Sequence, residues 1–264
     1  MNQIHGKCVW CDGPRLTKSH IWPEWLEPIL PARGTQHLVQ YGAPTQTFVS
    51  KARGYPPFEK LRQGSTVSRR PRNTCITCNG GWMRRMEEAA KPIASALIIG
   101  QHRLLNFTDQ WLLAALLCLI TCRQEFTDRA SMAIPAGDRE RLMKYFAPGP
   151  SWQIWIARYN GAYPGTHSSH HWGMRIVPSS SSISDGPSDE CNSQIATMII
   201  GRLCAHLFSS TVLDNFGGYR QFSLCRIWPP SQFYIDPWSA PGLSEEIIAL
   251  HEAFPAAIKA VGEK

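Results

Sequence analysis

The stretch NTCITCNGGWM, residues 73–83, decides how the N-terminal third of this chain folds. Two cysteines separated by two residues lead directly into an asparagine, two glycines and a tryptophan. A redox pair, a zinc knuckle and part of a catalytic site can all begin in this way. The rest of the sequence has to decide between them.

A second pair of the same form, Cys8 and Cys11, precedes Cys75 and Cys78 with 63 residues between the pairs. Two such knuckles place four thiolates around one Zn²⁺ in the tetrahedral geometry of structural sites. The redox alternative needs a C-x-x-C beside a thioredoxin-like βαβ pattern, and neither pair has that setting. We therefore expect a structural zinc on these four residues. The other five of the nine cysteines lie in apolar runs and are expected in the core.

The charge of the chain is uneven. It has 27 Lys and Arg against 20 Asp and Glu, a net charge of +7, and residues 1–91 hold 14 of the basic residues but only 6 of the acidic ones. Such a field favours acidic partners, nucleic acid or anionic lipid. Either a solvated face or a phosphate-binding strip explains the basic run, and we favour the strip because arginine binds phosphate in a bidentate manner. The expected nucleic-acid-binding residues are Arg69, Arg70, Arg72, Arg84 and Arg85.

Two features bear on the compartment. The opening MNQIHGKCVWC lacks the apolar centre of a secretory signal. The most apolar run, residues 111–122, is shorter than the roughly 20 residues that a membrane span needs, and it is expected as a buried helix. We therefore expect a cytoplasmic protein that has no membrane partner.

The pattern along the chain predicts an α+β fold in two parts, an N-terminal module at 1–97 and an antiparallel α+β domain at 98–264. Helical spacing is expected at 80–97, with Pro92 ending or kinking the first part, and at 107–126, with Thr108 or Asp109 as the N-cap. Short helices are expected at 136–147 and 244–254.

Alternation of β-formers predicts strands at 152–159, 172–177 and 222–229. Residues 195–211 are expected to form either one bent strand or a hairpin at Gly201 and Arg202. A low-complexity loop is expected at 178–190. The histidines of GTHSSHH, namely His167, His170 and His171, are expected in a surface loop.

Between the cysteine pairs lies LTKSHIWPEWL, residues 16–26. His20 followed closely by a proline, the flanking cysteine pairs and the asparagines Asn73 and Asn79 together resemble the HNH endonuclease family. The flanking text also resembles a branch of bacterial HNH proteins that carry a second domain. The resemblance covers residues 8–91, about a third of the chain. It implies a ββα-metal fold braced by the four-cysteine zinc site, and cleavage of phosphodiester bonds in double-stranded DNA.

The resemblance also implies a role for each motif residue. His20 would be the general base that activates water, since imidazole exchanges protons near neutral pH. Asn73 would orient that imidazole or hold the loop beside it. Asn79 would be an oxygen ligand of a catalytic Mg²⁺ or Mn²⁺, which would neutralise charge on the scissile phosphate.

Ser19 departs from the family pattern, because the residue before the histidine is commonly an acid or a second histidine that binds the metal. A neutral hydroxyl is a weaker ligand, so Asp12, Glu24 or Glu87 would have to compensate. Two alternatives therefore stay open beside the enzyme. One is a catalytically inactive, zinc-dependent nucleic-acid-binding protein, and the other is a structural zinc domain for protein contacts.

Overall fold

The computed structural model describes residues 6–30, 36–41, 58–63, 70–126, 132–161, 167–174, 176, 191–213 and 224–244. Helices and antiparallel strands occur together in it, which confirms the α+β class. The helices are α1 (Ile76–Cys78), α2 (Arg84–Ile98), α3 (Phe107–Glu125) and α4 (Ala136–Tyr145). The strands are β1 (Leu16–Thr17), β2 (Gln36–Tyr41), β3 (Phe58–Gln63), β4 (Thr74–Cys75), β5 (Leu105–Asn106), β6 (Trp152–Arg158), β7 (His167–Met174), β8 (Ser193–Ile200), β9 (Leu203–Ser210), β10 (Cys225–Trp228) and β11 (Tyr234–Ile235).

The N-terminal region is built on a very short strand pair. β1 and β4 lie far apart in sequence but pair antiparallel, with Leu16 opposite Cys75 and Thr17 opposite Thr74. Between them come one turn of 3₁₀-helix, Glu24–Leu26, and the antiparallel pair of β2 and β3. The backbone leaves β4 directly into α1.

The helix that starts at the second cysteine pair changes its winding. α1 runs into a π-helical turn, Asn79–Met83, and then into α2. Gly81 has φ −97° and ψ −105°, which lies outside the helical region, so the turn bends there. Pro92 does not end α2, contrary to one reading of the sequence. Six side chains of α2 are buried, and this packing stabilises the helix despite the missing proline N–H.

The apolar run is confirmed as a buried helix, α3. Its N-cap is Asn106, which has extended backbone and whose Oδ1 accepts from the Asp109 N–H at 2.9 Å. The sequence-based choice of Thr108 or Asp109 was wrong, because the helix begins at Phe107 and those residues already lie in its first turn.

A five-stranded antiparallel sheet has the order β10-β6-β9-β8-β7. Of the two alternatives expected for residues 195–211, one bent strand or a hairpin, the hairpin forms, and it joins β8 to β9 at Gly201 and Arg202. Gly201 has φ +58°, and a Cβ there would lie 2.5 Å from the carbonyl oxygen of Ile98. Only glycine fits this turn, which brings the hairpin against the end of α2.

The histidine-rich segment is a strand and not the expected surface loop. Residues 167–174 form β7, which pairs with β8 along its whole length. His171 Nε2 lies 2.6 Å from Gln194 Oε1 of that neighbour. The pairing partner stands more than twenty residues away in sequence, so local turn signals misled the prediction.

Side chains are buried on both faces of the sheet. In β6, Trp152, Ile154 and Ile156 join the core shared with the helices, whereas Trp155 and Ala157 join a second cluster on the opposite face. The first core runs without a break from the cysteine pairs to the sheet. The proposed boundary at residue 97 falls within α2 and stays a prediction. The expected loop at 178–190 and residues 245–254 of the expected last helix lie outside the described residues.

Within the described parts of the chain, no helix combines the length and the apolar character that crossing a membrane requires.

Candidate metal centre and the neighbouring histidine

The four cysteines of the two C-x-x-C pairs meet in space. The sulfur atoms of Cys8, Cys11, Cys75 and Cys78 all lie within 4.8 Å of one another. Cys11 Sγ is 3.6 Å from Cys75 Sγ and 3.4 Å from Cys78 Sγ. Sulfurs around a tetrahedral zinc lie roughly 3.8 Å apart, given a Zn–S bond of about 2.3 Å. The cluster can therefore hold a metal ion such as zinc.

Backbone contacts bring the two pairs together. The Val9 N–H donates to the Asn73 carbonyl at 3.0 Å, and the Ile76 N–H donates to the Arg15 carbonyl at 3.3 Å. Asp12 and Arg15 both adopt positive φ, which curls the first knuckle around its cysteines. The strand pair then sets Cys75 opposite Leu16. The first knuckle is thereby fixed against the start of the helix.

The chemistry of the thiols also fits a cation. Burial opposes ionisation of Cys75, but the Cys78 N–H and the neighbouring thiols outweigh it and lower its pKa to about 7. Burial raises the pKa of Cys78 and of Cys11. A bound Zn²⁺ would stabilise the thiolate form of its cysteine ligands against the effect of burial.

Beside the cysteines, Ser19 contacts Asn79, which lies much later in the chain. Ser19 follows β1, is fully buried, and its hydroxyl donates to Asn79 Oδ1 at 2.9 Å. The Ser19 N–H donates to the carbonyl of Pro71 at 3.1 Å. Asn79 opens the π-helical turn directly after Cys78. Two of the positions singled out in the sequence are therefore neighbours, across 60 residues of chain.

His20 lies next to Ser19 and is paired with an acid. Its Nε2 is 2.5 Å from Glu24 Oε1, and its side chain is 13% exposed against 71% for Glu24. Glu24 begins the 3₁₀ turn that follows Pro23. Glu24, one of the three acids expected to compensate for Ser19, thus lies against His20.

The other two acids have different surroundings. Glu87 Oε1 is 2.6 Å from Arg123 Nη1, a guanidinium that is only 3% exposed, so this carboxylate joins α2 to α3. Asp12 lies in the turn of the first knuckle, where its N–H donates to the Cys8 carbonyl at 2.9 Å. Arg123 was not singled out in the sequence, because a partner 36 residues away leaves no local signal.

Asn73 holds the knuckle in place. Its carbonyl accepts from Val9, and its Oδ1 accepts from the Thr74 hydroxyl at 3.2 Å. That Asn73 holds the loop beside His20 stays a prediction. Orientation of the imidazole by its amide stays a prediction.

The arginines of the expected strip differ in their contacts. Arg72 Nε donates to the Leu16 carbonyl at 3.3 Å, which ties it to the strand pair. Arg84 is exposed and pairs with Glu88 at 2.7 Å. Arg70 and Arg85 are exposed. Arg69 lies outside the described residues.

Comparisons of the chain with protein-family models, with curated proteins and with solved structures found no match.

Proposed function

We propose that the chain is a metal-dependent endonuclease of the HNH type, which hydrolyses phosphodiester bonds in DNA. The observation that carries the proposal is the contact between Ser19 and Asn79, with His20 beside it and the cysteine cluster next to it. The pairing of β1 with β4, followed directly by α1, supports the proposal, because the resemblance implies two strands and a helix at the site.

The side-chain oxygens of Ser19 and Asn79 are the type of ligand that a hard divalent cation binds. Asn79 offers an amide oxygen and Ser19 a hydroxyl oxygen, and Mg²⁺ or Mn²⁺ prefers oxygen ligands while keeping several waters. Both donors are neutral, so the site depends on the phosphate and on water for the rest of its shell. A cation bound there would neutralise charge on the scissile phosphate.

The chain's own groups supply the remaining steps. The imidazole of His20 takes a proton from the attacking water as general base. The water oxygen bonds to phosphorus, and the bond to the leaving oxygen breaks with its electron pair.

Nicking of supercoiled plasmid with Mg²⁺ or Mn²⁺ tests the proposal. The wild-type chain is expected to cleave, and His20→Ala is expected to lose cleavage while zinc content and DNA affinity persist, because a general base acts in the transition state. His102→Ala is the matched control, since His102 is 68% exposed and pairs with Asp236, which is not a residue of the site. Wild-type protein that cleaves neither DNA nor RNA with any divalent ion would refute the enzyme.

One observation favours an alternative function, a zinc-dependent protein that binds nucleic acid without cutting it. The Ser19 hydroxyl donates to Asn79 Oδ1, the oxygen that a cation would need. A gel shift that weakens with salt, together with absent cleavage, would support this alternative. Absence of both binding and cleavage would leave a structural zinc domain for protein contacts.

A further inference from the structure

The antiparallel pair of β2 and β3, the ribbon, lies in the chain between the two cysteine pairs. Its register runs without a break from Gln36 opposite Gln63 to Tyr41 opposite Phe58. Among the strands that the structure describes, neither β2 nor β3 pairs with a third strand. A two-stranded ribbon alone is at best marginally stable in water, so a surface that packs against it would stabilise it.

The register separates the charged residues of the ribbon by face. Directly opposite residues share a face, and successive residues of a strand alternate between the faces. One face, the basic face, therefore comprises the pairs His37 and Arg62, Val39 and Lys60, and Tyr41 and Phe58. The other face comprises the pairs Gln36 and Gln63, Leu38 and Leu61, and Gln40 and Glu59. The basic face thus carries Lys60 and Arg62 with no acidic residue, whereas Glu59 lies on the other face.

The chain that follows the ribbon ties it to the neighbourhood of Ser19. The carbonyl of Pro71 accepts from the Ser19 N–H at 3.1 Å, and Arg70 beside it is exposed. The chain from Gln63 to Pro71 can span at most about 29 Å, because an extended chain advances no more than about 3.6 Å per residue. This reach is shorter than one helical turn of duplex DNA, roughly 34 Å. One duplex at the candidate site can therefore also contact the ribbon.

We infer that the basic face of the ribbon binds the phosphates of duplex DNA, and this inference rests on the function proposed above. Lys60 and Arg62 lie two residues apart on β3, about 6.8 Å along the strand, and each neutralises one phosphate. A two-stranded ribbon is narrow enough to follow the major groove of B-DNA, about 12 Å wide, between its two phosphate backbones. Because phosphates carry no sequence information, the ribbon positions the duplex without selecting a sequence.

DNA fits the ribbon better than an anionic lipid surface, to which a basic face is also attracted, because of where the positive charge lies. The exposed Arg70 and Arg85 precede and follow Cys75 and Cys78 in the chain. The positive charge of the basic face therefore continues at the candidate cleavage site. A partner that is itself a chain of phosphates can contact both elements at once.

Binding to a fluorescent duplex tests the inference in the full-length, zinc-loaded chain, without added Mg²⁺ or Mn²⁺ so that binding is measured apart from cleavage. Lys60→Gln combined with Arg62→Gln should flatten the dependence of log affinity on log salt by about 1.8, which is about 0.9 for each phosphate contact. The wild type should then lose about 12-fold more affinity than this double variant between about 50 and about 200 mM salt. The change should be the same on unrelated sequences. Lys144→Gln combined with Arg158→Gln is the matched control, because it removes the same two charges at exposed positions outside the ribbon.

Hydrogen exchange supplies a second measurement, made on the unaltered chain. Peptides that cover 36–41 and 58–63 should exchange about tenfold more slowly when free duplex is present at about ten times Kd, because bound duplex stabilises the closed ribbon. Peptides from α4 should show no change. Unchanged exchange in the ribbon while duplex is bound would overturn the inference, even if the double variant failed to fold.

The outcomes separate the role of the ribbon from the proposed function. If the wild type binds and cleaves DNA while the double variant keeps the wild-type salt slope, the ribbon does not bind the duplex although the enzyme stands. If the slope changes as expected but the wild type cleaves nothing, the role of the ribbon stands and the proposed enzyme fails. If the double variant keeps its duplex binding but loses binding to vesicles of phosphatidylcholine and phosphatidylserine, the partner is a membrane surface and the inference is overturned. Wild-type protein that binds no nucleic acid would refute both.

Discussion

The strand pair at the cysteines and the five-stranded sheet are held together by different means. β1 and β4 pair over two residues each, whereas β8 and β9 pair over eight. All eight residues of β9 are buried. The sheet therefore has a long hydrogen-bonded ladder and an apolar core. The cysteine region shares the apolar core but has only a two-residue ladder, and an ion held by its four thiols would supply stability that this ladder does not.

The two regions are nevertheless joined. Trp82 contacts Trp10 of the first knuckle edge-on, with ring centroids 5.0 Å apart, and Phe146 after α4, at 6.5 Å. Arg123 of α3 reaches both Glu87 and the sulfur of Met83. We therefore expect that loss of metal would unfold the segments that carry the two cysteine pairs and leave the sheet folded. Damage to the core should instead lower the stability of the whole chain.

The largest effect is expected from the cysteine cluster. Cys78→Ser should release the zinc and unfold the N-terminal region, because structural zinc contributes apparent binding energies of roughly 10–16 kcal/mol in small zinc domains. Elemental analysis and limited proteolysis measure the two consequences. Cys225→Ser is the matched control, since Cys225 is half-buried and outside the cluster. A wild-type protein that is well folded without metal would refute the zinc site.

A substitution in the core between the helices and the sheet should lower the stability of the chain without releasing zinc. Leu117 of α3 is 1% exposed, so Leu117→Ala should lower the free energy of unfolding by about 2–5 kcal/mol while zinc content is retained. Denaturant unfolding measures this. Tyr145→Ala, at a side chain 64% exposed, should change the free energy of unfolding by no more than about 0.5 kcal/mol. Loss of zinc in Leu117→Ala would show that the two regions are not separable.

The sequence predicted the parts of this comparison that depend on local spacing. A C-x-x-C places two thiols at one ion, and a repeat of it implies a second half-site, so the cluster could be foreseen. The buried α3 and the hairpin at Gly201 followed from apolar runs and a glycine. The proximity of Ser19, His20 and Asn79 could be expected only through the family resemblance.

What the sequence could not provide were the partners that lie far away in the chain. The strand position of His171 depends on β8, and the contact of Glu87 with Arg123 depends on how α2 and α3 pack. The approach of Glu24 to His20 could not be foreseen, because residues 20–23 are not helical and the 3₁₀ turn begins only at Glu24.

A smaller effect is expected from a buried acid at the end of α3. Glu125 is fully buried, and burial raises its pKa to about 7, although the N–H groups of Ile134 and Ala133 and the charge of Arg139 act against the rise. The folded state therefore holds the proton more tightly than the unfolded chain. Stability is highest below the unfolded pKa, near 4.5, and falls as pH rises through about 7.

Glu125→Gln should abolish this pH dependence. Relative to the variant, the wild type should lose of the order of 3 kcal/mol between pH values of about 5 and about 8. Urea unfolding at both pH values gives the double difference, in which the pH dependence of zinc binding cancels. Glu140→Gln is the control, because its exposed carboxylate has a pKa lowered by Lys144. Parallel curves for wild type and Glu125→Gln would show that Glu125 is not protonated in the fold.

The smallest effect concerns two adjacent arginines at the start of α2, on the cysteine side of the comparison. Arg84 is paired with Glu88 at 2.7 Å, whereas no acidic residue in the described part of the chain pairs with Arg85. If the strip binds phosphate, Arg85→Gln should flatten the dependence of log affinity on log salt by about 0.9, the value for one duplex phosphate contact. Arg84→Gln should change the slope less, because Glu88 already neutralises that charge. Glu88→Gln should strengthen binding by freeing Arg84, which makes it the internal check on the pair. Equal slopes for wild type and Arg85→Gln, measured by fluorescence anisotropy on unrelated duplexes, would make this part of the strip a solvated face.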